Sequence, residues 1–150
     1  MSDPIYRLIY ISNNCIEGSN AEMHSEIQKI LEFARKANSA VGITGALMFN
    51  NGIFAQVLEG PQEPLEETFE RIQCDFRHDG VVVLSYEETT FRGFDSWSMA
   101  YVGHDTEALT EFANIKSESG FNSDSIPAGR IFDVLQEHLI DAENDSAAAA

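Results

Sequence analysis

Positive charge is scarce in this chain: nine Lys and Arg stand against 25 Asp and Glu in 150 residues, a formal net charge of -16. Such a field repels phosphate backbones and anionic bilayers, so nucleic acid and membrane surfaces are excluded as general partners. A neutral ligand or another protein is the expected partner. Cysteine is nearly absent too. Cys15 and Cys74 lie far apart, without Cys-x-x-Cys or Cys/His ligand spacing, and read as free thiols in a reducing compartment. No apolar run approaches the roughly 20 residues that a bilayer crossing needs. The opening MSDPIYRLIYIS is acidic at its start and carries no basic leader region, so a cytoplasmic location is expected. The four histidines form no i, i+4 pair, which leaves no expected metal site, and neither a phosphate-cradling glycine loop nor a Gly-x-Ser-x-Gly turn occurs.

Apolar material is plentiful. Hydrophobic residues make up 43% of the chain and include ten Phe, enough for the core of one domain and against disorder over most of the length. Residues 5–12, IYRLIYIS, alternate Tyr6, Leu8, Tyr10 and Ser12 with Ile5, Arg7, Ile9 and Ile11, the period of a strand. Ser19 and Glu22 form a capping box ahead of Met23, Ile27, Ile30, Leu31 and Ala34, which predicts a helix to about Ala37, ended by Asn38-Ser39. Two apolar runs, 43–49 and 53–59, flank Asn51-Gly52 and predict a hairpin, with Gly60-Pro61 breaking the pattern. Leu65, Phe69, Ile72 and Phe76 predict a second helix that opens at Pro64 and stops at Gly80. Residues 81–86 and 97–103 complete five strands.

The order βαββαββ is an α+β, ferredoxin-like plan, a mixed sheet with two helices on one face. Beyond Gly103 the spacing predicts a short helix from about Thr106 and a polar linker near 116–125. A further helix opens at Pro127, with Ile131, Val134, Leu135, His138 and Leu139 at helical spacing. These C-terminal helices are expected on or near the sheet's other face. The divisions expected are 1–103 for the main domain, 104–142 for a helical extension and 143–150 for a flexible tail.

Gln56 sits among apolar neighbours in the third strand, where an unpaired amide would cost about 1–3 kcal/mol. Tyr10, between Leu8 and Ser12, poses the same question for a phenol. Mutual pairing of the two is one answer. Another is a flat heteroaromatic ligand between the two helices, walled by Ile30, Phe54 and Ile72 and met at its edges by Asn38 and Gln56. Arg35, Lys36, Arg71, Arg77 and His78 fall near predicted helix ends, where they complement the dipole or supply a local positive pocket. Trp97 and Met99 share one face of the fifth strand.

YRLIYIS with Tyr10, ANSAVGITGAL with Asn38, FAQVLEG with Gln56, FERIQCDFRH, and FDSWSMAY with Trp97 and Met99 together resemble the BLUF family of blue-light sensors. The resemblance runs from about residue 5 to 103. It implies a flavin, FAD in the usual case and FMN or riboflavin otherwise, held non-covalently between the helices. By that resemblance Asn38 meets the ring edge, Gln56 bridges Tyr10 and the ring, and Ile30, Phe54 and Ile72 sandwich it. Arg71, Asp75, Arg77 and His78 lie toward the ribityl chain and phosphates. Light would let Tyr10 pass an electron and then a proton to the flavin, leaving the Gln56 amide rearranged, and Trp97 and Met99 would carry the change outward. Ala37 departs from the family, whose members often have a polar side chain there.

The roughly 47 residues beyond Gly103 are few for a catalytic output domain. A sensor without turnover is therefore expected, acting through self-association into a homo-oligomer or through a downstream protein. The competing readings are a small acylphosphatase-like hydrolase, with Arg71 or Arg77 and Asn38 on a phosphate, and a colourless ligand-binding module.

Overall fold

β1 (Ile5–Asn14) sets the layers of the molecule, because its alternation divides two apolar faces. In this computed structural model, which describes residues 4–50, 53–94, 98–102, 129, 131–133, 135 and 136, Leu8 and Tyr10 join one buried cluster and Ile9 and Ile11 another. Helix α1 (Asn20–Val41) and strands β2 (Thr44–Asn50) and β3 (Ile53–Pro61) follow, then α2 (Gln62–Gln73), β4 (His78–Thr89) and β5 (Ala100–Val102). The sheet order is β4-β1-β3-β2-β5, with β5 parallel to β2 and every other pairing antiparallel. The βαββαββ order and the mixed sheet are as the sequence predicts.

Ile27 and Leu31 of α1 and Leu65 of α2 pack on the face that carries Leu8, Tyr10, Leu47, Phe54 and Leu58. The opposite face, Ile9, Ile11, Ala46, Met48, Ala55 and Val57, is covered by Phe94 and by Ile131 and Leu135 of the C-terminal segment, both fully buried. The described residues of that segment are helical. Val134, His138 and Leu139, the helix expected from Thr106, the linker near 116–125, the tail and Trp97 lie outside the described residues, as do most of the expected divisions beyond 103.

Several boundaries differ from the sequence reading. Ser19 caps α1 as expected, its hydroxyl accepting from the Glu22 N–H. The helix does not stop at Asn38, however. It runs to Val41 and ends on Gly42, which takes the left-handed conformation (φ 75°) that favours glycine at a helix end. Asn38 is thereby a residue of the last turn with its side chain turned into the protein. Similarly, Gly60-Pro61 does not break β3, which stays paired with β1 as far as Ile5 opposite Pro61. The pairing of β2 with β3 runs to Asn50 opposite Ile53, on either side of the expected turn at Asn51-Gly52, itself outside the described residues.

The largest difference lies in the second helix. α2 opens at Gln62, so Pro64 occupies the first turn, where its missing N–H leaves no helical bond unmade. It closes at Gln73, and Asp75 and Arg77 lie in the turn that follows. Phe76, read as a core position, is 95% exposed. Pairing with β1 takes over from helical periodicity here, since His78 already stands opposite Asn14. Gly80 is no helix stop. It has φ 60° inside β4, at a shift of register against β1, the left-handed glycine of a bulge. The fifth strand is also shorter than expected, with Ser98 and Met99 just ahead of it.

Candidate functional site

Tyr10 on β1 and Gln56 on β3 stand directly opposite one another in the antiparallel register. Cross-strand neighbours on one face have Cβ atoms close enough for their side chains to meet. The Tyr10 hydroxyl donates to Gln56 Oε1, and Gln56 Nε2 donates to the Met99 thioether sulfur at 3.4 Å. All three side chains are buried. Burial, reinforced by the Asp75 carboxylate, pushes the Tyr10 phenol well above its usual pKa, so it is a protonated donor at neutral pH. The amide that it meets has a donor end and an acceptor end and can present either to the phenol.

Asn38 completes a second polar point. Its Nδ2 donates to the Ser98 carbonyl at 2.8 Å, tying α1 to the segment before β5, and Arg35 Nε reinforces that tie through the Met99 carbonyl at 3.0 Å. Asn38 is 1% exposed, and its Oδ1 has no partner among the described residues. A buried acceptor left unmet costs about 1–3 kcal/mol, so this atom calls for a hydrogen-bond donor beyond the described residues.

Both polar points border one cavity of about 400 Å³ between α1 and α2. Such a volume suits a small-molecule site. Ile30 and Ala34 of α1, Leu47, Phe54 and Ile72 supply apolar wall, with Thr68 alongside. Arg71, Asp75, Arg77 and His78 lie along the same cavity, so every described residue that the sequence reading assigned to the site borders it. Arg35 and Lys36 do not. Asp75 is fixed by Arg77, whose Nε and Nη2 donate at 2.9 and 2.5 Å, and these bonds hold its carboxyl below the usual range. Arg77 also approaches Glu26 at 3.6 Å. His78 Nε2 donates to the Ile72 carbonyl at 2.6 Å, since a carbonyl can only accept, and Nδ1 meets the Ser12 hydroxyl at 2.7 Å.

Phe33, Ala34, Leu47, Thr68 and Cys74 are cavity residues that the sequence reading missed. Helical spacing could have found three of them. Phe33 and Ala34 lie one turn from Ile30, Ala34 lies one turn from Asn38 as well, and Thr68 lies one turn before Ile72.

A mostly apolar cavity lined by the Gln56 amide, a buried carbonyl oxygen with no partner among the described residues and two guanidinium groups suits a heteroaromatic cofactor bearing anionic groups. The family described as sensors of blue light using FAD, BLUF, matches residues 5–100, and the chain belongs to it. It superposes on the photo-activated state of BlsA with a TM-score of 0.74 and 34% identity, covering 91% of this chain and 95% of that one. BlrB, a BLUF protein in its dark state, gives 0.72 and 25% identity over 89% of this chain and 98% of that one. Among curated proteins, the photoactivated adenylate cyclase subunit beta of Euglena longa is 33% identical over 94 residues, 62% of this chain. The match spans only 11% of that much longer protein. The domain is thus a flavin-binding blue-light sensor module, and the Tyr10–Gln56 pair matches the family's light-signalling switch.

Proposed function

We propose that the chain holds FAD non-covalently in the slot between α1 and α2 and converts blue light into a change of protein contacts. The orphaned Asn38 Oδ1 carries this reading. It is a buried acceptor beside apolar walls, and the imide N–H of a flavin ring is a donor of matching chemistry. Ile30, Phe54 and Ile72 would clasp the ring faces, and the Arg71 guanidinium would favour the phosphates by charge. The hydrolase reading fares worse. The Asn38 amide donor that it needs is taken by the Ser98 carbonyl, and Arg77 by Asp75 and Glu26, which leaves Arg71 as its one available group among those it names.

When bound, the flavin supplies absorption of blue light and an electron acceptor. Tyr10 holds its proton on Oη against Gln56 Oε1, in surroundings too apolar for it to ionise unaided. Loss of an electron to a bound flavin would make the phenol strongly acidic and let its proton pass along the existing hydrogen bond to Gln56 Oε1, and return of both would restore the phenol. Gln56 can then turn its amide, presenting Nε2 where Oε1 stood. Met99, in contact with Nε2, feels the turn directly, and the Met99 and Ser98 carbonyls pass it to Arg35 and Asn38 of α1. Trp97 is the remaining candidate for this relay. A homo-oligomer, or a complex with a downstream protein, is the output we propose, with the C-terminal helix on the far sheet face as the element that moves.

Two readings on the purified protein test this. Denaturation should release an unmodified flavin that co-elutes with FAD. Blue light should move the visible bands of the native protein reversibly to longer wavelength. Release of FMN or riboflavin alone would contradict the dinucleotide, and a spectrum unchanged by light would contradict the sensor.

A further inference from the structure

Phe33 has no role in that scheme, and its surroundings are unusual. It projects from α1 at the rim of the cavity, 59% exposed, although it borders the site. The Arg71 guanidinium of α2 lies 5.1 Å from its ring centroid, within the range of a cation–π contact. Arg71 differs from the other cations here. The other guanidinium at the cavity, Arg77, is paired with Asp75 and Glu26. Arg71 meets no carboxylate among the described residues. The rim therefore carries an uncompensated guanidinium beside an open aromatic surface, in a chain whose net charge would otherwise repel phosphate.

We propose that Phe33 and Arg71 form a subsite for the adenylate half of a flavin dinucleotide, and that this pair makes the chain select FAD over FMN. The inference rests on the flavin reading above and extends it to residues outside the ring pocket. Arg71 attracts phosphate, which FMN and FAD share and riboflavin lacks. Phe33 offers a stacking surface for a purine, which FAD alone possesses. The two residues thus separate by chemistry: the guanidinium distinguishes phosphorylated flavins from riboflavin, and the ring distinguishes dinucleotide from mononucleotide.

The test is equilibrium titration of apoprotein with riboflavin, FMN and FAD, read in the dark by quenching of flavin fluorescence. Base stacking on a protein aromatic has measurable worth, so Phe33→Ala should weaken FAD by about tenfold and leave FMN and riboflavin unchanged. Phe33→Tyr should keep the preference. Arg71→Met should weaken FMN and FAD together and spare riboflavin. Equal losses for all three flavins in Phe33→Ala, or an unchanged ratio of FAD to FMN affinity, would overturn the subsite while leaving the flavin reading intact. Failure of the unaltered apoprotein to bind any of the three would overturn the flavin reading itself.

Discussion

Gln56→Leu is expected to bind flavin and to show no red shift under blue light. Leucine is close to glutamine in size and suits a position among Leu47, Phe54 and Leu58, so the slot and its walls should survive. The Tyr10 hydroxyl loses its acceptor, at about 1–3 kcal/mol, a cost that the better burial of leucine offsets in part. What vanishes altogether is the amide. Tyr10 and Met99 are then joined by nothing that can exchange a donor for an acceptor. Tyr10→Phe should give the same spectral silence by removing the phenol proton. The check is a light-minus-dark absorption spectrum of each variant at matched flavin content. A variant of either kind with a full-size shift would remove the Tyr10–Gln56 pair from the mechanism.

Arg7→Met is expected to cost stability on a scale that few single substitutions reach. Glu59 is fully buried on the sheet face away from the cavity, where its carboxylate accepts from Arg7 Nε at 2.7 Å and from the Gly93 and Phe94 N–H groups at 2.9 Å. The Arg7 guanidinium also packs 4.2 Å from the Phe132 ring centroid. One buried ion pair thus pins the segment before β5 and the C-terminal helical segment to the central strands. Removing one partner leaves a buried charge undercompensated, typically at about 3–5 kcal/mol. Urea unfolding should place Arg7→Met in that range. Arg7→Met with Glu59→Leu should recover part of the loss, because two apolar side chains can replace a buried pair. A loss in Arg7→Met below about 1 kcal/mol, the scale of an exposed ion pair, would show that the pair is not structural.

The parts of this fold legible in the sequence are those set by local periodicity. β1, the hairpin strands and the start of α1 each carry a period or a cap that needs no distant partner. The end of α2 was not legible, because Ile72 to Phe76 keeps helical spacing while the competing interaction, β1 against His78 and Asp79, lies more than 60 residues away. Asn38 was singled out as a site residue and borders the cavity, yet its place inside the last turn depends on the left-handed Gly42 four residues on. Pattern offered Ile30, Asn38, Phe54, Gln56 and Ile72 as a ligand site only as one reading beside structural pairing, and the resemblance decided between the two. No spacing rule places Tyr10 opposite Gln56, since the β1–β3 register is a tertiary fact. The Arg7–Glu59 pair was missed for the same reason, being separated by 52 residues and identical in pattern to ordinary surface charges.

Infrared difference spectroscopy on protein carrying carbon-13 in its glutamine side chains addresses the switch itself. Illumination should produce an amide carbonyl band pair that moves with the isotope in the unaltered protein and is absent from labelled Gln56→Leu. The contradicting result is a normal visible red shift accompanied by no isotope-sensitive amide band, which would mean that light alters the flavin's surroundings while the Gln56 carbonyl keeps the partner it has in the dark.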